Sequence, residues 1–183
     1  MQNALGMLEI TSISKGIEVG DVMLKAADVA LVAAHPVCAG KYIVVVTGEV
    51  SDVRASIEAG EECSGMKLVD KLLIPNIDPQ VPRAINMCND FGDDIDAVGS
   101  VELFSLCATV AAADAAVKAA AVRLIEIRLA RGLGGKGFLT LTGNVSAVES
   151  SIKAIEERDE VQGLMSDSIV IPSPHPEIKR VLY

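Results

Sequence analysis

The second half of this chain repeats the first. Ala4-Leu5-Gly6-Met7-Leu8-Glu9 returns 93 residues later as Ala97-Val98-Gly99-Ser100-Val101-Glu102. At the same shift Ser12, Asp21, Lys25, Ala26, Ala27, Val29 and Leu31 meet Ser105, Asp114, Lys118, Ala119, Ala120, Val122 and Leu124. A two-residue insertion then moves the shift to 95. Gly40-Lys41 faces Gly135-Lys136, and Thr47-Gly48-x-Val50-Ser51-x-Val53 faces Thr142-Gly143-x-Val145-Ser146-x-Val148. Ile74-Pro75 and Ile171-Pro172 close the copies. Matches that include glycines and polar residues, in order along both halves, mark a duplicated domain rather than a shared composition. The acidic, Gly-containing stretch 89–96 reads as a linker, giving domains over 1–88 and 97–183.

The fold question therefore reduces to half a chain. Leu5–Ile13 is apolar with alternating character and reads as a strand, and Ile17–Ala27 carries apolar residues at helical spacing with Asp21 and Lys25 one turn apart. Val29–Ala34 and Lys41–Val46 are β-branched runs around a Pro- and Gly-containing loop, two strands joined by a turn. Ser51 has the chemistry of an N-cap for a helix through Glu62, with Ser146 as its counterpart, and Leu72–Ile74 supplies a fourth strand. The order β-α-β-β-α-β predicts an α+β, ferredoxin-like sheet with helices on one face, built twice.

Composition removes several functions. With half of 183 residues hydrophobic and 22% charged, each copy can bury a core without disulfides or a metal. A formal charge of −9 is the wrong sign for a phosphate backbone, so nucleic acid is not an expected partner. The longest apolar run, Leu106–Val122, contains Asp114 and Lys118 and falls short of a membrane span. Residues 1–8 show neither a basic region nor an apolar run of signal-peptide length, which predicts a cytoplasmic chain.

Cys38, Cys63, Cys88 and Cys107 lie far apart without a C-x-x-C pair, fitting neither a disulfide framework nor an intrachain zinc or ferredoxin site. The last three read as small apolar residues. Cys38, close after Pro36 in a loop, is either a surface thiol or a ligand. His35 and His175 are too few and too separated for a histidine-based metal site. No Ser-His-Asp ordering, paired catalytic carboxylates or dinucleotide fingerprint stands out, so an enzyme is not expected.

The repeated motifs, namely Ala-x-Gly-x-x-Glu, Asp-x-x-x-Lys-x-Ala, Thr-Gly-x-Val-Ser-x-Val and Ile-Pro, resemble those of bacterial microcompartment shell proteins across nearly the whole chain. The resemblance is to the subgroup in which two such domains are fused and three chains form a pseudo-hexamer. Val37-Cys38-Ala39-Gly40-Lys41, Gly132-Leu133-Gly134-Gly135-Lys136 and Pro172-Ser173-Pro174-His175 look most like the iron–sulfur-binding members from propanediol-utilisation compartments.

The resemblance implies a homotrimer in a hexagonal layer with other shell proteins. It also implies one [4Fe–4S] cluster per trimer, held by Cys38 from each of three chains, with an encapsulated redox enzyme as electron partner. A three-fold axis makes one cysteine per chain into three thiolates, so intrachain spacing ceases to matter. Pro36, Val37, Ala39 and Gly40 would then alternate around the pore with Arg131, Gly132, Leu133, Gly134 and Gly135, which lack a cysteine. Arg128 and Arg131 could offset thiolate charge or sit on a solvated loop. The glycines let backbone N–H groups approach an anion, but Gly137 rather than Ser or Thr follows Gly135-Lys136, unlike a phosphate loop.

Lys25 and Lys118 occupy the position that in this family meets neighbouring tiles. Asn76 and Ser173 stand where the family carries an edge arginine. Two readings compete with the electron relay: a metabolite-conducting pore without a redox centre, and a trimeric metabolite-sensing regulator.

Overall fold

The computed structural model describes residues 4–89, 95–130 and 132–182; most of the expected linker therefore lies outside the described residues. The chain divides into two compact units, Met1–Ile77 with Ala130–Gly135, and Asp78–Leu129 with Lys136–Tyr183. In the first unit β1 (Ala4–Ile10), α1 (Ile13–Ala26), β2 (Ala30–Val37), β3 (Lys41–Gly48), α2 (Val50–Ser64) and β4 (Leu68–Ile74) follow in order. The second unit begins with a short helix, α3 (Gln80–Ile85). It continues with β5 (Ala97–Leu103), α4 (Leu106–Ala119), β6 (Arg123–Leu129), β7 (Gly137–Gly143), α5 (Val145–Glu156), β8 (Met165–Ile171) and α6 (Pro176–Lys179).

Both sheets are four-stranded and antiparallel, ordered β2-β3-β1-β4 and β6-β7-β5-β8, the ferredoxin-like arrangement expected from the sequence. The duplication extends to irregularities. The register slips between Glu9 and Ile10 and again between Glu102 and Leu103, and between Leu31 and Ala33 and again between Leu124 and Glu126.

In the first unit Leu8 and Ile10 of β1 and Val44 and Val46 of β3 meet Val19 and Met23 of α1 and Val53 and Ile57 of α2. The two helices are tied by a buried Ser56 hydroxyl donating to the Met23 carbonyl at 3.0 Å, and Ser151 repeats that bond to Ala116 at 3.0 Å. One contact is inverted between the copies. Gly16 of α1 leaves room for Tyr42 of β3, since a Cβ on Gly16 would lie 2.5 Å from Tyr42 Cγ. At the matching positions the helix carries Thr109 and the strand carries Gly137, whose Cβ would meet Thr109 Cβ at 3.0 Å.

Several local expectations need correction. α1 starts at Ile13 rather than Ile17, because Ser12 caps it by accepting the Lys15 N–H, as Ser105 does for Ala108 in α4. Ser51 and Ser146 are not caps. α2 starts at Val50 with Glu49 in the cap position and no side-chain bond, whereas Asn144 caps α5 through the Ala147 N–H and Ser146 donates to Asn144. Cys88 is exposed rather than buried; Cys107 is buried, Cys63 is half-buried, and none of the four cysteines is in a disulfide. The chain leaves the first unit at Ile77, before the linker, because Val81 and Ala84 of α3 are fully buried in the second. Among the described residues no helix is long and apolar enough to cross a membrane.

Candidate functional site

β2 and β3 bring Cys38 to the turn between them. Val37 is buried at the end of β2, while Pro36, Ala39 and Gly40 are exposed and Cys38 is half-buried. The 130–135 segment belongs to the same compact unit and closes on this turn. The Cys38 N–H donates to the Ala130 carbonyl at 3.0 Å, and the Gly132 N–H donates to Cys38 Sγ at 3.3 Å. Gly132, Gly134 and Gly135 have φ of +74°, +63° and +95°, left-handed values that glycine adopts without Cβ strain, which lets consecutive amides turn toward one point. The group that the Gly132, Leu133 and Gly134 amides approach is the Cys38 sulfur.

The electrostatic consequence follows directly. The Gly132 N–H foremost, then those of Leu133, Gly134 and Cys38 itself, hold the Cys38 thiol below its ordinary range, against a smaller upward push from partial desolvation. A thiol held toward thiolate is the form that attacks electrophiles and ligates metals. In iron-free protein carrying Cys88→Ser, the alkylation rate at Cys38 should rise with pH through a midpoint below the free-thiol value of about 8.5. Peptide-resolved mass spectrometry against pH measures it. A midpoint at or above that value counts against the amide cradle.

Both Gly-Lys motifs anchor their loops in the same way. Lys41 pairs with Glu9 and Lys136 with Glu102, so the glutamate that ends each Ala-x-Gly-x-x-Glu run is the partner of the lysine that opens β3 or immediately precedes β7. Glu9 is 2% exposed, a buried carboxylate that a facing cation must balance.

The other residues expected at the site distribute as follows. Leu133 and Gly135 lie in the loop against Cys38, and Arg131 lies outside the described residues. Arg128 pairs with Glu126 at 2.7 Å and stacks over the Phe138 ring at 5.8 Å, so its charge is engaged locally. His35 sits inside β2 opposite Ile43, with Nδ1 3.3 Å from the Pro36 carbonyl oxygen. His175 caps α6 by accepting the Glu177 N–H.

Lys25 and Lys118 lie in the last turns of α1 and α4, paired with Asp21 at 2.6 Å and Asp114 at 2.5 Å. The exposed Lys25–Asp21 pair contributes only a few tenths of a kcal/mol, whereas Lys118 balances a buried Asp114 carboxylate that also accepts the Asp78 N–H. Sequence reasoning missed the Ala130 carbonyl and the two glutamates. The recurrence of both the glutamate and the lysine in each copy was the available signal for the latter.

Among the described residues no group of three or more His, Cys, Asp or Glu side chains converges as a metal site. The donor set at this loop is one polarised, half-exposed thiol per chain, which is chemically suited to an iron–sulfur cluster when further chains supply the remaining thiolates.

A BMC domain model matches residues 4–77 and again 97–174. The chain is 41% identical to the bacterial microcompartment shell protein PduT of Citrobacter freundii, over 98% of this chain and 97% of that one. It is 28% identical to the carboxysome assembly protein CcmO of Synechococcus elongatus (strain ATCC 33912 / PCC 7942 / FACHB-805), over 93% of this chain and 65% of that protein. A crystal structure of a microcompartments protein from Desulfitobacterium hafniense DCB superposes with a TM-score of 0.93 at 44% identity, covering 98% of this chain and 99% of that one.

Proposed function

Because this chain belongs to the BMC-domain family of bacterial microcompartment shell proteins, in which its role is structural rather than enzymatic, we propose that three copies form one shell tile carrying a redox centre. In this reading six repeated domains surround a three-fold axis, and Cys38 of each chain holds a single [4Fe–4S] cluster there. Such a cluster carries one electron at a time, which suits transfer across a shell that must otherwise stay closed. The enclosed pathway would be of the propanediol-utilisation type.

The observation that carries the reading is the Cys38 turn. Its thiol is partly exposed, held toward thiolate by the Gly132–Gly134 amides, and has no convergent ligands among the described residues of its own chain. Cys38 would bind iron, the glycine amides would offset negative charge on its sulfur, and the Ala130 carbonyl would fix the turn. The test is iron and acid-labile sulfide per trimer in anaerobically purified protein, with an EPR spectrum after dithionite. Protein that stays iron-free after anaerobic reconstitution would instead support the metabolite pore.

We assign tile-to-tile contact to Lys25 and Lys118, the positions to which the family resemblance points. Lys25→Ala with Lys118→Ala should leave trimers assembled, at a lower melting temperature because the buried Asp114 loses its cation, while abolishing incorporation into shells. Co-purification of tagged protein with shells measures it, and undiminished incorporation overturns the assignment. A metabolite sensor, by contrast, would remain a discrete trimer and form no sheets.

A further inference from the structure

We infer that the C-terminal segment His175–Leu182 of one chain docks on the α1–β2 face of a second copy. The inference rests on the trimeric reading above and specifies the joint that would build it. It starts from the repeat, which continues past Ile171-Pro172. At a shift of 97, Asp78-Pro79-Gln80-Val81-Pro82-Arg83-Ala84-Ile85 meets His175-Pro176-Glu177-Ile178-Lys179-Arg180-Val181-Leu182. Both stretches form a short helix, α3 and α6.

Their surroundings differ. α3 lies against β6 in its own unit, with Val81 and Ala84 fully buried. Gln80 Oε1 accepts the Leu124 N–H at 2.9 Å, Gln80 Nε2 donates to the Val122 carbonyl at 3.4 Å, and the Asp78 N–H donates to Asp114 Oδ1 at 2.9 Å. In α6 and the residues just after it, the matching apolar side chains, Ile178 and Val181, are 47% and 74% exposed. The segment is held to its own sheet from the other side, where Leu182 packs on Ile95, Val98 and Ile125 and Lys179 donates to the Ile95 carbonyl.

The receiving face shows the converse asymmetry. Leu106, Val110 and Leu124 are 0% exposed, whereas their counterparts Ile13, Ile17 and Leu31 are 42%, 58% and 49% exposed. Asp114 is buried, while the side chain of Asp21 is 59% exposed. One chain therefore contains this joint once filled, and separately both halves of a second joint left open. A second copy of the chain is the molecule that carries the missing half for each. The surfaces differ, so the contact is head-to-tail, the type that closes into rings. Ile178 and Val181 would cover Ile13, Ile17 and Leu31, the His175 N–H would donate to Asp21, and Glu177 would accept the Leu31 N–H.

The test uses the full chain and two double variants: Ile178→Asp with Val181→Asp, and Ile17→Asp with Leu31→Asp. Each is expected to sediment as a single chain with an unchanged circular dichroism spectrum, whereas the unsubstituted protein sediments as a trimer. Mixed one to one, the two variants should form dimers, because one intact plug and one intact socket remain between them. Glu177→Gln should tighten the trimer about fivefold by adding the second hydrogen bond that Gln80 makes. Trimers that survive either double substitution, or a mixture that yields no dimer, overturn the docking and leave the tile reading standing. Single chains of unsubstituted protein would overturn the trimer itself.

Discussion

Cys38→Ser protein, purified and reconstituted without oxygen, is expected to hold no iron, beside roughly four irons and four sulfides per trimer in the unsubstituted chain. The loss should be all-or-none, because at a three-fold site one substitution in the sequence removes three thiolates together. A serine hydroxyl keeps the shape of the side chain but stays protonated where a cysteine held by the Gly132 amide ionises. Sedimentation of the same sample separates loss of the ligand from loss of the trimer. Gly132→Ala should do much less. It retains the N–H and costs about 1–2 kcal/mol for a side chain at φ +74°, so iron should remain with a shifted EPR signal. Full iron and sulfide in Cys38→Ser would sink the redox centre.

Gly16→Thr should be among the most damaging single changes in the first unit, costing about 3 kcal/mol. A Cβ at Gly16 would lie 2.5 Å from Tyr42 Cγ, and Tyr42 is 9% exposed with little freedom to withdraw. Tyr42→Gly alone leaves a cavity of ring size and costs about 4 kcal/mol. The double variant recreates the Thr109–Gly137 contact of the second unit, so its loss should be smaller than the sum of the two by about 2 kcal/mol. Urea unfolding of the four chains gives that coupling directly. Additive losses would mean that the inverted pair is accidental.

Much of this was legible in the sequence because the copies comment on one another. The 93- and 95-residue shifts paired the first three strands of each sheet with their counterparts, and the recurring Ile-Pro, 97 residues on, paired the fourth. Helix starts were less legible. Ile13 belongs to an apolar run that reads as strand until Ser12 is recognised as a cap, and Ser51 is outranked by the backbone one residue earlier. At the site, the glycines of 132–135 signalled an anion, but its identity depended on a loop 94 residues away in sequence. No spacing rule reaches that far. The α6 plug was readable in principle, since Pro79 and Arg83 match Pro176 and Arg180, although only burial reveals that one copy is covered and the other bare.

The inverted pair also bears on how such a chain avoids misassembly. Two similar domains in one polypeptide invite exchange of equivalent helices during folding. Were α1 to settle on β7, Gly16 would face Gly137 and leave a void. Were α4 to settle on β3, Thr109 would drive into Tyr42. Each helix thus carries a key for its own sheet, and divergence at two positions keeps the duplicated halves from being mistaken for one another.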